Sequence, residues 1–244
     1  FHHGSKHYKS TLMVAQIQRT RYNAEVESVK LTVPKEVSEL CKTLRDAGFE
    51  AYLVGGCVRD LLLEREPKDW DITTNAKPEQ IQAMFKETFY ENKFGTVGVV
   101  TESADPRLKV VEVTPYRIEG KYSNARHPDE IRFSESLDDD LKRRDFTINA
   151  IAYEPEEGAL VDKHGGQEDI KRRVIATVGE AEERFNEDAL RMLRAVRLSA
   201  ELDFAIEAET ATGISANAGQ LEKISRERVR DELIRILMTE HPMQ

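Results

Sequence analysis

The sequence predicts an α+β protein in which a small mixed sheet backed by helices is followed by an all-helical module. Three observations predict it. Residues 51–74 read A-Y-L-V-G-G-C-V-R-D-L-L-L-E-R-E-P-K-D-W-D-I-T-T. They pass from a short apolar segment through a glycine pair into apolar residues at helical spacing, then into a second extended segment. Two β-branched runs, Gly95 to Val100 and Leu108 to Thr114, flank a turn at Asp105 and Pro106. From Glu180 onward the β-branched runs thin out and the pattern becomes helical.

Taken in order, Phe1 to Ser5 (F-H-H-G-S) reads as a tag remnant, and Lys6 to Lys30 lacks clear periodicity and caps. Residues 1–30 are therefore expected to be weakly ordered, with His2 and His3 excluded as metal ligands. Pro34 suits the first turn of a helix running to Ala47, with Gly48 as its stop. Ala51 to Val54 is a buried strand, Cys57 to Leu63 a helix, and Lys68 to Thr73 a second strand after Pro67. Pro78 to Phe89 reads as a helix and Arg117 to Asp129 as a polar loop containing His127. Ile151 to Tyr153 and Ala159 to Val161 pair around an E-P-E-E-G turn, Gln167 to Arg173 is a short helix, and Val174 to Val178 is extended. Phe185 to Ala200 and Ile224 to Met238 are amphipathic helices. The expected domains are residues 31–179 and 180–244.

Composition narrows the function. The 244 residues carry a formal net charge of −9, with 33% charged and 7% aromatic residues. No apolar run reaches transmembrane length and no signal peptide is visible, so a cytoplasmic protein without a membrane partner is expected. Cys41 and Cys57 both lie in apolar helical patterns and read as buried thiols. The acidic total weighs against a nucleic-acid binder, but clustering matters more than the total. Lys142, Arg143 and Arg144 cluster, as do Lys171 to Arg173, and Arg191, Arg194 and Arg197. The sequence does not specify an oligomeric state.

The chemistry gathers in the first stretch. A strand turning through Gly55 and Gly56 into a helix leaves backbone N–H groups that suit a phosphate. Asp69 and Asp71, two apart on one strand, would point to one face, with Trp70 and Ile72 toward the core. Paired carboxylates repel unless a cation lies between them, and Mg²⁺ prefers oxygen ligands beside phosphates. Glu112 lies between Val111 and Val113 in the later run and could add a third carboxylate. Arg143 and Arg144 offer guanidinium forks for phosphate oxygens. At helical spacing Asp188 and Arg191 are surface neighbours, opposite Ala189, Leu193, Val196 and Ala200. A carboxylate accepting from an exocyclic amine and a guanidinium donating to the ring could together read a base; the plain alternative is a surface ion pair. Singly, a G-G is a turn and a D-x-D a solvated strand edge.

The combination is more specific. G-G-C-V-R-D, K-D-W-D-I, E-V-T, D-L-K-R-R-D-F-T-I-N-A and E-D-A-L-R occur in this order. They resemble the head and neck of class II tRNA nucleotidyltransferases (CCA-adding enzymes) and the similar bacterial poly(A) polymerases, from Glu50 to Met238. The resemblance implies a nucleotidyltransferase-type head and a helical neck. It implies that Asp69 and Asp71, helped by Glu112, hold two Mg²⁺ ions. It assigns the triphosphate to Gly55, Gly56, Arg59, Arg143 and Arg144. Glu187, Asp188 and Arg191 would select the nucleotide, with Arg194 and Arg197 following at the family's spacing. Asp145 and Asn149 would brace the fold, and the loop at 117–129 would help switch nucleotides. The implied partners are ATP, CTP and a tRNA or other RNA 3′ end. CCA, CC-only, A-only and poly(A) addition stay open. So do two rival classes: a haloacid-dehalogenase-like phosphatase, since D-W-D-I-T fits D-x-D-x-T, and an inactive RNA-binding module. Family members continue into further helical domains, so the sequence is expected to be a fragment.

Overall fold

The computed structural model describes residues 29–91, 95–119 and 131–242. The tag remnant, most of the N-terminal segment and the bulk of the expected loop, His127 included, lie outside the described residues. Helix α1 (Lys35–Asp46) follows Pro34 and buries Val37, Cys41 and Leu44, spaced four and three apart on one stripe. It leads into strand β1 (Ala51–Val54), helix α2 (Gly56–Leu62) and strand β2 (Asp71–Thr74). Next come α3 (Pro78–Met84), β3 (Thr88–Tyr90), β4 (Val97–Val100) and β5 (Val110–Pro115). The expected helix over 78–89 thus stops short. Phe85 is extended, and Thr88 to Tyr90 pair antiparallel with Val97 to Val99, so β-branched and aromatic residues at the pattern's end find a sheet edge.

Strands β6 (Arg117–Glu119) and β7 (Ile131–Phe133) form a separate antiparallel pair, so the predicted loop begins as a strand. Helix α4 (Leu137–Lys142), β8 (Ile151–Glu154), β9 (Ala159–Asp162) and α5 (Gly166–Arg172) follow. The main sheet has the order β3-β4-β5-β2-β1-β8-β9. β2 and β5 run parallel and the other neighbours antiparallel, as a mixed sheet requires. Its core includes Leu53, Trp70, Ile72, Val97, Val111, Val113, Ile148 and Ile151. Each large side chain buried there contributes roughly 1.5–3 kcal/mol.

Beyond a short strand β10 (Val174–Ile175), the helices are α6 (Ala181–Glu187), α7 (Leu190–Leu202), α8 (Ala208–Asn217) and α9 (Arg226–Leu237). The second module is not purely helical. Strand β11 (Ala205–Ile206) pairs parallel with β10 and straps the modules together. Ala195, Leu198, Leu202 and Phe204 also join the same core cluster as the sheet. Among the described residues no helix is long and apolar enough to cross a membrane.

Candidate active site

β1 ends at Val54, and the chain turns at Gly55 with φ at +85°. Side chains rarely tolerate that backbone. A Cβ there would stand 3.3 Å from Arg144 Nη1 and 3.4 Å from Asp71 Oδ2. The turn therefore brings together the start of α2, the first residue of β2 and the arginine that follows α4. Gly56 opens α2, where a Cβ would make ordinary contact with Arg59.

Asp71 is the register partner of Glu112 across the parallel β2–β5 pairing. Burial pushes the Asp71 carboxyl up to about 7; Glu112 and Asp69 add repulsion, and Arg144 opposes it. The Glu112 carboxyl is also raised, by burial and then by Glu91 and Asp69. Asp69 does not share the strand. The Glu112 N–H donates to Trp70 O at 3.1 Å at the start of the β2–β5 pairing, and Asp69 lies exposed in the bend before it. Asp69 stands two residues before the strand, and its charge reaches both other carboxylates. Trp70 and Ile72 are buried as expected.

This donor set fits a hard cation: oxygen ligands, mutual repulsion, and the Asp71 and Glu112 carboxyls raised above their usual range first by burial and then by neighbouring carboxylates. Among the described residues no group of three or more His, Cys, Asp or Glu is gathered into a ready-made metal cage. The fit rests on Asp71 and Glu112, with Asp69 alongside.

The two forks expected for phosphate are both tethered to Asp140, which is fully buried on α4. Arg143 donates to Oδ1 from Nε at 3.0 Å and Nη2 at 2.5 Å. Arg144 donates from Nη2 to Oδ2 at 2.9 Å, where the Thr73 hydroxyl also donates at 3.1 Å. The Arg144 Nε is buried without a hydrogen-bond partner in the described protein, a donor that a phosphate oxygen would satisfy. Arg59 lies beside Gly56 and is held by other partners. It is buried, donating from Nε to Asp60 and from Nη1 to Asn149, each at 2.9 Å. Asn149 in turn donates to Asp145 at 3.2 Å, and Asp145 Oδ2 takes the Arg194 fork at 2.8 and 2.5 Å. Arg59 and Arg194 are thus two ends of one brace between α2 and α7.

The helix expected over 185–200 breaks at Asp188, whose backbone is extended (φ −143°, ψ 104°). Its carboxylate caps the next turn by accepting the Leu190 N–H at 3.0 Å, an alternative to continuing the helix. Arg228 of α9 donates to the same carboxylate at 2.8 Å. Arg191 is buried and donates from Nη1 to Glu187 at 2.5 Å and from Nη2 to Arg143 O at 3.1 Å. Glu187 also takes Arg184 Nη2 at 2.5 Å. Asp188 and Arg191 therefore stand at one break, each held by a different partner. Arg197 pairs with Glu232 at 2.8 Å.

Asp140, Arg184 and Arg228 are the site residues that sequence reasoning passed over. For Asp140 a signal existed: it precedes Arg143 by three and Arg144 by four residues, the spacing of neighbours on a helix. For Arg228, forty residues from Asp188, no local signal exists.

Comparison with known proteins gives the same direction. A family described as "Poly A polymerase head domain" matches residues 51–176, and one described as "Probable RNA and SrmB- binding site of polymerase A" matches residues 203–244. The CCA-adding enzyme of Geobacillus stearothermophilus is 48% identical over 204 residues, 83% of this chain and 49% of its own length. That of Lactobacillus helveticus (strain DPC 4571) is 46% identical over 83% of this chain and 50% of its own length. The crystal structure of the Bacillus stearothermophilus CCA-adding enzyme in complex with CTP superposes with a TM-score of 0.77 at 43% identity, covering 86% of this chain and 50% of that one. The Thermotoga maritima CCA-adding enzyme complexed with tRNA gives 0.73 at 27% identity, over 90% and 52%. The chain spans about half the length of the curated relatives it matches.

Proposed function

As the chain belongs to the poly(A) polymerase head-domain family, whose CCA-adding enzymes are its relatives, we propose that it transfers nucleotides from CTP and ATP to the 3′ end of tRNA. The observation that carries this reading is the meeting of Asp71, its register partner Glu112 and Arg144 at the Gly55 turn. In the transfer, the RNA 3′ hydroxyl gives up its proton to solvent and its oxygen forms a bond to the α-phosphorus. The bond from that phosphorus to the β-bridging oxygen breaks, and pyrophosphate leaves with the electron pair.

Asp71 and Glu112, with Asp69, are the residues that would hold Mg²⁺. When bound, the two ions supply charge neutralisation at the attacking and leaving oxygens. Arg144 grips the triphosphate, and its free donor edge stabilises the charge that grows on the departing pyrophosphate. Arg143 supports the same end. Gly55 and Gly56 keep the turn clear of side chains so that phosphates can approach the backbone.

Asp188 and Arg191 select the base, and Glu187 orients the Arg191 fork. A base entering there competes with Arg228 for the Asp188 carboxylate. Arg59, Arg194 and Arg197 act as braces in this reading, because each is committed to a neighbouring side chain. Residues 31–179 form the catalytic head and 180–244 the nucleotide-selecting neck, working in the cytoplasm.

The test is transfer of labelled CTP and ATP to tRNA ending before its CCA, with sequencing of the extended 3′ ends. This reading expects C, C, A and then arrest. A homopolymeric A tail would make the chain a poly(A) polymerase, and failure to extend any RNA would refute nucleotide transfer.

A further inference from the structure

We infer that Asp140 is a positioning residue that aims Arg144 at the triphosphate and ties that aim to the strand carrying Asp71; this rests on the nucleotide-transfer reading above. A carboxylate with no solvent exposure costs several kcal/mol unless it is fully partnered. Asp140 meets that cost with donors from two directions: both arginines from its own end of α4, and the Thr73 hydroxyl from β2. Although burial opposes it, the charges of Arg143 and Arg144, and then their hydrogen bonds, hold its carboxyl below the usual range.

Geometry gives the arrangement its use. Asp140 occupies the Nη2 corner of Arg144, and Nη1 is the atom nearest a Cβ built on Gly55. The fork is gripped at one corner and presented at the other. Thr73 follows Asp71 by two residues, so the two share a face of β2. One buried carboxylate therefore fixes a phosphate fork relative to a metal-binding carboxylate. Without it, Arg143 and Arg144 lose a common anchor, and Arg144 is free to swing toward Asp71 and neutralise it.

The experiment is a double-mutant cycle on nucleotide binding, using CTP with Mg²⁺ as the probe and CMP as control, by calorimetry on the parent chain, Asp140→Asn, Arg144→Ala and the double variant. Asp140→Asn keeps the shape and is the variant expected to fold; matched thermal unfolding checks this, and Thr73→Val probes the same anchor from the strand side if it does not. We expect Asp140→Asn to weaken CTP about tenfold or more, as loss of a charge-assisted anchor should. CMP should change little, and the double variant should bind no worse than Arg144→Ala alone. Equal weakening of CTP and CMP, or additive losses in the double variant, would overturn the positioning role while leaving the functional reading intact. Parent-like CTP binding by Arg144→Ala would remove Arg144 from the triphosphate site and with it the positioning role, whereas absence of CTP binding by the parent chain would count against the functional reading itself.

Discussion

Asp71 and Glu112 face each other across the parallel pairing at the centre of an otherwise antiparallel sheet. That register sets two carboxylates side by side, and both titrate above their usual range.

One consequence is a pH dependence of stability. In the unfolded chain Asp71 ionises near the ordinary value of about 4, but in the fold it does so at about 7. A raised carboxyl favours the fold while protonated, and that contribution is lost as pH rises from about 4 through about 7. Relative to the parent, Asp71→Asn should therefore gain stability over that window, by about 1–2 kcal/mol once solvent screening is allowed for. Chemical denaturation of both proteins from pH 4 to 8 without divalent ions measures it. A constant difference across the range would contradict the environment assigned to Asp71.

The Asp145–Arg194 pair behaves in the opposite sense. Although burial opposes it, Arg194 and then Arg191 hold the Asp145 carboxyl well below its usual range. Its stabilisation is present above the unfolded value of about 4 and is lost as pH falls through the lower folded value. Arg194→Ala should cost about 1.5–3 kcal/mol at pH 7, with the gap to the parent narrowing below pH 4. A neutral effect at pH 7 would remove this pair from the brace between α2 and α7.

Base selection should fall to Asp188 and Arg191. Arg191→Ala is expected to disturb the ratios among the four nucleotides more than it weakens triphosphate binding. Arg228→Ala, which frees the Asp188 carboxylate, should shift the same ratios with triphosphate binding retained. Incorporation of all four nucleotides by each variant is the measurement, and parent-like ratios in both would reduce these residues to internal ion pairs.

Much of this site was legible because its parts are local. The glycine pair, the apolar run before it and the alternation of Trp70 and Ile72 around Asp71 fix β1, α2 and β2 within 24 residues. Less legible was anything decided at a distance. Thr88 to Tyr90 continue a helical pattern until β4 offers them an edge. The break at Asp188 is hidden in E-D-A-L-R, whose residues suit a helix, because the cap on Leu190 and the pull from Arg228 are tertiary. Arg59 and Arg194 carry the charge a phosphate wants. Only the fold reveals that Arg59 also donates to Asn149 and Arg194 to Asp145.

Nucleotide and RNA should bind this chain unequally. The net charge is −9, and several of the clustered cations are paired within the chain: Arg143 with Asp140 and Arg194 with Asp145, and at the surface Arg172 with Asp169 and Arg173 with Asp203. Few contacts to an RNA backbone mean weak binding and a shallow salt slope. CTP should bind with Mg²⁺, while tRNA extension should be slow, since a poorly oriented 3′ end alone can cost ~10² in rate. Filter binding across a salt series checks this, and tight, salt-resistant tRNA binding would show that these residues carry the RNA site.

The central claim is that the carboxylates at the Gly55 turn support nucleotide transfer, and its most direct measurement is the single-turnover rate of labelled CTP incorporation into tRNA by the parent, Asp69→Ala and Asp71→Ala, each verified as folded. The account predicts a loss of at least ~10³ for either variant, about 4 kcal/mol of barrier. Near-parental incorporation by a well-folded Asp71→Ala protein would contradict it.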